Sequence, residues 1–350
     1  MYQARIKALQ KVTKTECIMI ASPENLFYYS GFTGKEAILV IGSTELLLFT
    51  DSRYLIQAKE EAPDFEIIDI KNKKAIDYMA EKKVKSIAYE AEFLSAKAFF
   101  ALQERIEGAA FEPIDSEILE QRAIKDSREL AMTKNAAELA DAAFLKVLSS
   151  IRAGVREKDI AMALEWDMRK NGAQGASFEI VCASGLRSAM PHGTASDKII
   201  ETGDFVTLDF GCFFEGYASD MTRTVVIGKA TDKQREIYET VLQAQKAALA
   251  VISAGVSGCD ADKTARDIIK DAGYGDYFGH ALGHGTGLMI HEQPVLSPRS
   301  EKKLVPGMLV TVEPGIYIEN LGGVRIEDLV YVTEQGHLNL TTSDKELLEL

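Results

Sequence analysis

Residues 204–226, DFVTLDFGCFFEGYASDMTRTVV, constrain this chain more than any other stretch. Val206, Leu208 and Phe210 alternate with Thr207, Asp209 and Gly211, so a strand would send the two sets to opposite faces. Gly216 supplies the positive φ that a tight hairpin needs. A two-residue turn at 214–215 or 215–216 then sets Asp220 opposite or diagonal to Asp209 on the same face. Two carboxylates in that position repel unless a proton or a cation lies between them. Simple solvation of both acids on an edge hairpin is the competing reading, and the apolar flanks of both strands weigh against it.

The pattern recurs near the C-terminus in VTVEPGIYI (310–318) and GVRIEDLV (323–330). Pro314 pushes Glu313 into an extended conformation and removes one ladder donor, which marks a strand end or a bulge. Alternation puts Arg325, Glu327 and Leu329 on one face. Charged groups inside apolar strands are seldom buried unless paired or bound to metal. For these two acids alone, an ion pair with Arg325 explains the pattern equally well.

Between the two acidic pairs lies GHALGHGTGLMIHEQP (279–294), which holds three of the five histidines. Asp209, Asp220, His284, Glu313 and Glu327 together offer four carboxylates and one imidazole, enough negative charge for two divalent cations. Such an oxygen-rich set favours Mn or Co, with Fe or Zn possible, and is unlike the thiolate-rich shell of a structural zinc site. Paired metals of this kind hydrolyse stable acyl bonds through a bridging hydroxide, without a covalent intermediate. Cys182 and Ser184 lack the GxSxG elbow that a nucleophilic alternative would need. His192 and His291 are placed to contact a substrate carbonyl as hydrogen-bond donors if they lie near the metals; His337 reads as a surface residue. The glycines of 279–287 are expected to let the backbone approach the metals closely.

Composition removes other classes. A net charge of −13 argues against nucleic-acid binding. No apolar run approaches the ~20 residues a membrane span requires, and the basic N-terminal stretch does not resemble a signal peptide. Four cysteines without a CxxC pair fit reduced thiols, hence a cytoplasmic protein.

Residues 1–122 alternate strand-like runs (ECIMIAS, EAILVIG, TELLLFTD, FEIIDI, SIAYEAEF) with amphipathic segments such as RYLIQAKEEA and AIDYMAEKKV, predicting an α/β domain. A second domain, 123–350, opens on a long helical pattern from Ile118 to a C-cap at Gly154, with Asp126–Ser127 as an interruption. Three further helices are each expected to close on a glycine.

The quoted motifs resemble the pita-bread metallopeptidases: methionine aminopeptidase, Xaa-Pro aminopeptidase and Xaa-Pro dipeptidase (prolidase). LDFGCFFEGYASDMTRTV, GHALGHGTGLMIHE, VTVEPGIYI and GVRIEDLV carry the likeness over about 126–350, and YYSGFTGKEAILV with LFTDSRYLIQA resembles the creatinase-type N-terminal domain of the proline-directed branch. The resemblance implies an α/β (α+β) fold, with a creatinase-type domain at 1–122 and a pita-bread domain at 123–350 built on a curved antiparallel sheet with flanking helices. It implies that Asp209 binds one metal, His284 and Glu313 the other, and that Asp220 and Glu327 bridge both. His192 and His291 would then position substrate and stabilise the tetrahedral intermediate, with Glu313 as proton shuttle. His280 would contact substrate, and Arg325 would meet a substrate carboxylate or support the metal shell. The implied activity is cleavage of the amide before proline in Xaa-Pro dipeptides by a homodimer acting on short proline-containing peptides. An Xaa-Pro aminopeptidase is the alternative, and an inactive or creatinase-like relative a third.

Overall fold

The computed structural model describes all 350 residues. The chain forms two compact units, Met1–Arg122 and Ala123–Leu350. No helix is long and apolar enough to cross a membrane.

The first unit is built on a mixed six-stranded sheet. Its centre is Cys17–Ile20, fully buried, antiparallel to Ala37–Ile41 and parallel to Ser86–Tyr89. The five predicted strands are all present, and a sixth, Ala110–Pro113, extends one edge parallel to Ser86–Tyr89. That edge strand is largely exposed, so it lacks the apolar signature of its neighbours. The amphipathic segments fold as helices Leu55–Glu61 and Ala75–Glu81. The one deeply buried acid of this unit, Glu90, accepts bonds from the Ala21 and Ser22 amides, Ser22 Oγ and Asn25 Nδ2 at 2.5–2.9 Å.

The second unit has two large apolar cores. One packs helices Ser127–Val147 and Glu157–Lys170 against strands Val181–Ser184, Phe205–Phe210 and Met221–Val226. The other packs helices Asp232–Val251 and Gly258–Asp271 against Leu309–Val312, Gly315–Ile318, Gly322–Arg325 and Asp328–Thr333. Every strand pairing in this unit's sheets is antiparallel.

The helical reading needs two corrections. The pattern from Ile118 to Gly154 is two helices, Asp115–Ala123 and Ser127–Val147, followed by a short 3-10 turn, Leu148–Ser150. Asp126 restarts the helix through a capping box with Glu129, because its side chain satisfies amide donors left open at a helix start. Gly154 lies beyond the helix, in a left-handed turn. Glycine follows the ends of Glu157–Lys170 and Gly258–Asp271, at Gly172 and Gly273 with positive φ, but Asp232–Val251 ends on an extended Ile252.

The opening hairpin turns at 215–216: Phe214 pairs with Tyr217, and Glu215 and Gly216 have φ of 45° and 84°. Asp209 therefore faces Thr222, and Asp220 lies diagonal to it on the same face. Near Pro314 the second pair splits. Val312 pairs with Asp328 and Gly315 with Arg325, each in a separate ladder. In the gap, the Glu313 amide donates to Leu282 O and the Glu327 amide to Thr222 O. The missing proline donor thus frees both acids to be tied to the other acidic hairpin and to the His284 segment.

Candidate metal centre

All nine sequence-derived residues (His192, Asp209, Asp220, His280, His284, His291, Glu313, Arg325 and Glu327) line one cavity of about 430 Å³. His284 stands on a three-residue strand, Gly283–Gly285, with a register shift after it. Its neighbouring glycines serve strand packing, not approach to a metal. A Cβ on Gly283 would lie 2.0 Å from Thr311 O, and one on Gly285 would lie 2.2 Å from Gln293 O. This corrects the expected purpose of the glycine run.

The His284 ring is oriented by its own backbone. Nδ1 lies 3.0 Å from Gly285 O, which can only accept, so Nδ1 carries the proton. The Nε2 lone pair is then aimed at Asp220 Oδ2 (3.5 Å) and Glu313 Oε1 (3.4 Å). Ligand atoms of Asp220, His284 and Glu327 lie within 4.8 Å of one another. A lone pair facing carboxylate oxygens is repulsive unless a proton or a cation stands between them.

Polar satisfaction leads to the same conclusion. Asp209 Oδ1, Asp220 Oδ1 and Glu327 Oε1 are buried without a hydrogen-bond partner, which native interiors rarely tolerate. Three other oxygens are held in place: Thr222 Oγ1 donates to Glu327 Oε2 at 2.7 Å, Thr311 Oγ1 to Glu313 Oε1 at 3.0 Å, and Arg325 to Asp209 Oδ2 at 2.6 Å. Burial, then repulsion from Glu327, Asp209 and Glu313, pushes the Asp220 carboxyl well above its ordinary range. Burial and the Glu313 and Asp209 charges do the same to Glu327, and burial leads in pushing Glu313 up to about 7. The cluster is therefore short of positive charge, and its donor set fits hard or borderline divalent cations.

The remaining residues separate by their free atoms. His192 and His291 are exposed in the cavity, and the His291 ring meets His284 edge to face at 4.5 Å. Neither histidine gives a nitrogen to a protein hydrogen bond. His280 is different: Nδ1 donates to Ala281 O and Nε2 accepts from Tyr317 Oη, both at 2.8 Å. Burial, then the Arg325 charge, lowers its pKa to about 4, so the ring is neutral. It offers substrate only carbon surface. Arg325 is 3% exposed, and it donates to Thr222 Oγ1, Pro191 O, Tyr317 Oη and Asp209 Oδ2. With four of its five N–H groups so engaged, Arg325 is fitted to brace the carboxylate shell, not to receive a substrate carboxylate.

Sequence reading missed Thr222, Thr311 and Tyr317. Thr222 was in principle legible, since a hairpin turn at 215–216 sets it directly across from Asp209. Tyr317 gave no local signal, because its partners His280 and Arg325 come from another strand and another segment.

Residues 131–334 match metallopeptidase family M24, and residues 4–124 match the creatinase/prolidase N-terminal domain. The chain is 43% identical to the Xaa-Pro dipeptidase of Pyrococcus furiosus, over 95% of this chain and 94% of that one. Among solved structures, an Xaa-Pro dipeptidase from Bacillus anthracis superposes with a TM-score of 0.96 at 44% identity, covering 100% of both chains. An X-Pro aminopeptidase from Thermotoga maritima superposes with a TM-score of 0.91 at 42% identity, covering 98% of this chain and 99% of that one. The α/β architecture with antiparallel sheets and flanking helices is the pita-bread fold of these relatives, joined to a creatinase-type domain. With acids and imidazole gathered in the matched region, the chain belongs to metallopeptidase family M24.

Proposed function

We propose that this protein is a dinuclear metallopeptidase that hydrolyses the amide bond preceding proline, with Xaa-Pro dipeptides as substrates. The observation that carries the reading is the convergence of three partnerless carboxylate oxygens and the His284 lone pair on one cavity. The dipeptidases among the relatives support the substrate length. The Thermotoga maritima aminopeptidase favours a second reading, removal of a residue before proline from longer peptides. A creatinase-like or inactive relative is disfavoured, because all five donor residues are present.

Asp209, Asp220, His284, Glu313 and Glu327 would hold the two ions, with Mn or Co preferred and Zn or Fe possible. Divalent cations so held polarise a carbonyl and acidify water. The protein's own groups supply the rest. Glu313, beside the ions it would help hold and fixed by Thr311, is suited to take a proton and return it to the leaving proline nitrogen. His192 and His291, with free nitrogens in the cavity, are suited to donate to the developing oxyanion. The carbon face of His280 suits the pyrrolidine ring, and Tyr317 fixes that face. Residues 1–122 act as the creatinase-type domain and 123–350 as the catalytic one. A cytoplasmic homodimer completes the reading, with its four cysteines free.

The test is a metal series on chelated protein, assayed with an Xaa-Pro dipeptide and the matching Xaa-Pro-Yaa tripeptide. Turnover of the dipeptide alone supports the reading. Turnover of the tripeptide alone transfers it to the aminopeptidase, and no turnover with any divalent ion refutes both.

A further inference from the structure

Five acids line the cavity, and three of them, Asp220, Glu313 and Glu327, converge on His284, with Asp209 among their charged neighbours. The fifth, Glu179, differs in every respect. It lies between strands Gly175–Ala176 and Val181–Ser184, in the loop that leads into the strand beside Asp209. Glu179 lines the cavity together with its neighbours Phe178 and Val181. Glu179 is exposed, whereas Asp220 and Glu327 are buried, so it stands at the mouth. No cation pairs with it, in contrast to Glu165, which pairs with Arg169. The nearby lining is apolar: Phe178, Val181 and Ile290. The one cationic side chain fixed in the cavity, Arg325, is committed to Asp209, Thr222, Tyr317 and Pro191.

We infer that Glu179 selects the first residue of the substrate, favouring Xaa-Pro dipeptides whose first side chain is a long cation, Lys or Arg, over acidic ones. This rests on the proposed function. The α-ammonium group adjoins the scissile carbonyl and must lie deep, near the buried acids. A four-carbon stem from the same residue reaches outward, along Phe178 and Ile290, to an unpaired carboxylate at the rim. Long basic side chains bind in this way, with the stem on apolar surface and the head in water.

The experiment measures kcat/KM for Lys-Pro, Met-Pro and Glu-Pro on metal-loaded wild type, Glu179→Gln and Glu179→Lys. Wild type should order them Lys-Pro, Met-Pro, Glu-Pro. Glu179→Gln should lower the Lys-Pro to Met-Pro ratio by about threefold to fivefold, the range of one partly exposed charge pair. Glu179→Lys should raise Glu-Pro above Lys-Pro. Added salt should compress the wild-type ratio and leave that of Glu179→Gln flat. Unchanged ratios in both variants overturn the inference. So does an equal loss on all three substrates, the mark of a carboxylate facing the shared α-ammonium group. A wild type inert towards every Xaa-Pro dipeptide refutes the proposed function itself.

Discussion

Glu157 and Glu327 are both buried in the same unit, at 0% and 1% exposure, yet their surroundings are opposite. Glu157 Oε1 accepts from the Ser184 amide and hydroxyl, Oε2 from the Ser196 amide and hydroxyl, and Arg187 Nε lies 3.1 Å away. Burial alone would raise its pKa, but the bonds from Ser196 and Ser184 outweigh that and hold the carboxyl below its ordinary value. Glu327 keeps one bond, from Thr222, leaves Oε1 without a partner, and is driven up by burial and by its acidic neighbours. A buried carboxylate with a full set of donors holds the chain together; in this case it pins both ends of the loop that carries His192. A buried carboxylate with an orphaned oxygen beside three like charges is waiting for a cation. Glu90 in the first unit belongs with Glu157, which is why that unit, for all its buried charge, offers no centre.

The sharpest way to break this contrast is to neutralise one acid of each kind. Glu327→Gln should cost about a thousandfold or more in kcat/KM, since it removes a cation's share of several kcal/mol of transition-state stabilisation. The metal-free protein should not lose stability, and its melting temperature should rise as repulsion is relieved. Glu157→Ala should do the reverse, lowering unfolding free energy by about 2–3 kcal/mol in denaturant titrations, as expected when bonds to a buried charge are lost. If both variants lose stability alike, the distinction fails.

The pH dependence of the metal-free protein comes next. Asp220, Glu313 and Glu327 have folded pKa values above their unfolded ones, so the native state binds more protons than the unfolded chain. Stability should therefore fall as pH rises from the ordinary carboxylate range through about 7, the value of Glu313. Saturating Mn should reverse the slope, because the ligands must lose protons to bind. Melting curves at pH 5 to 8, with and without metal, check both signs. The smallest effect is that of Tyr317→Phe. Freeing His280 Nε2 and one Arg325 donor should raise KM for Xaa-Pro by about tenfold, within the range of one or two lost hydrogen bonds. Melting temperature should change little.

Much of this centre was legible in the sequence. Strand alternation and one glycine placed Asp209 and Asp220 together, and Pro314 announced the break that frees Glu313 and Glu327. The chemistry needed the four carboxylates first, since the histidine run alone was ambiguous. The rest depended on contacts distant in sequence. Arg325 is committed to partners up to 134 residues away, and His280 Nε2 to Tyr317, 37 residues on, so neither residue's role could be read locally. The helix ends failed for a different reason. A glycine after an apolar pattern ends a helix only if the chain must turn left-handed there, and Ile252 shows that an extended exit serves as well.

The most direct measurement is calorimetric titration of Mn into chelated protein, for wild type and Glu327→Gln, with Xaa-Pro turnover followed in the same samples. The account predicts two ions per chain for wild type, activity that rises with occupancy, and fewer than two ions with lost activity for the variant. A wild type that binds no divalent ion, or that cleaves Xaa-Pro fully without one, would contradict it.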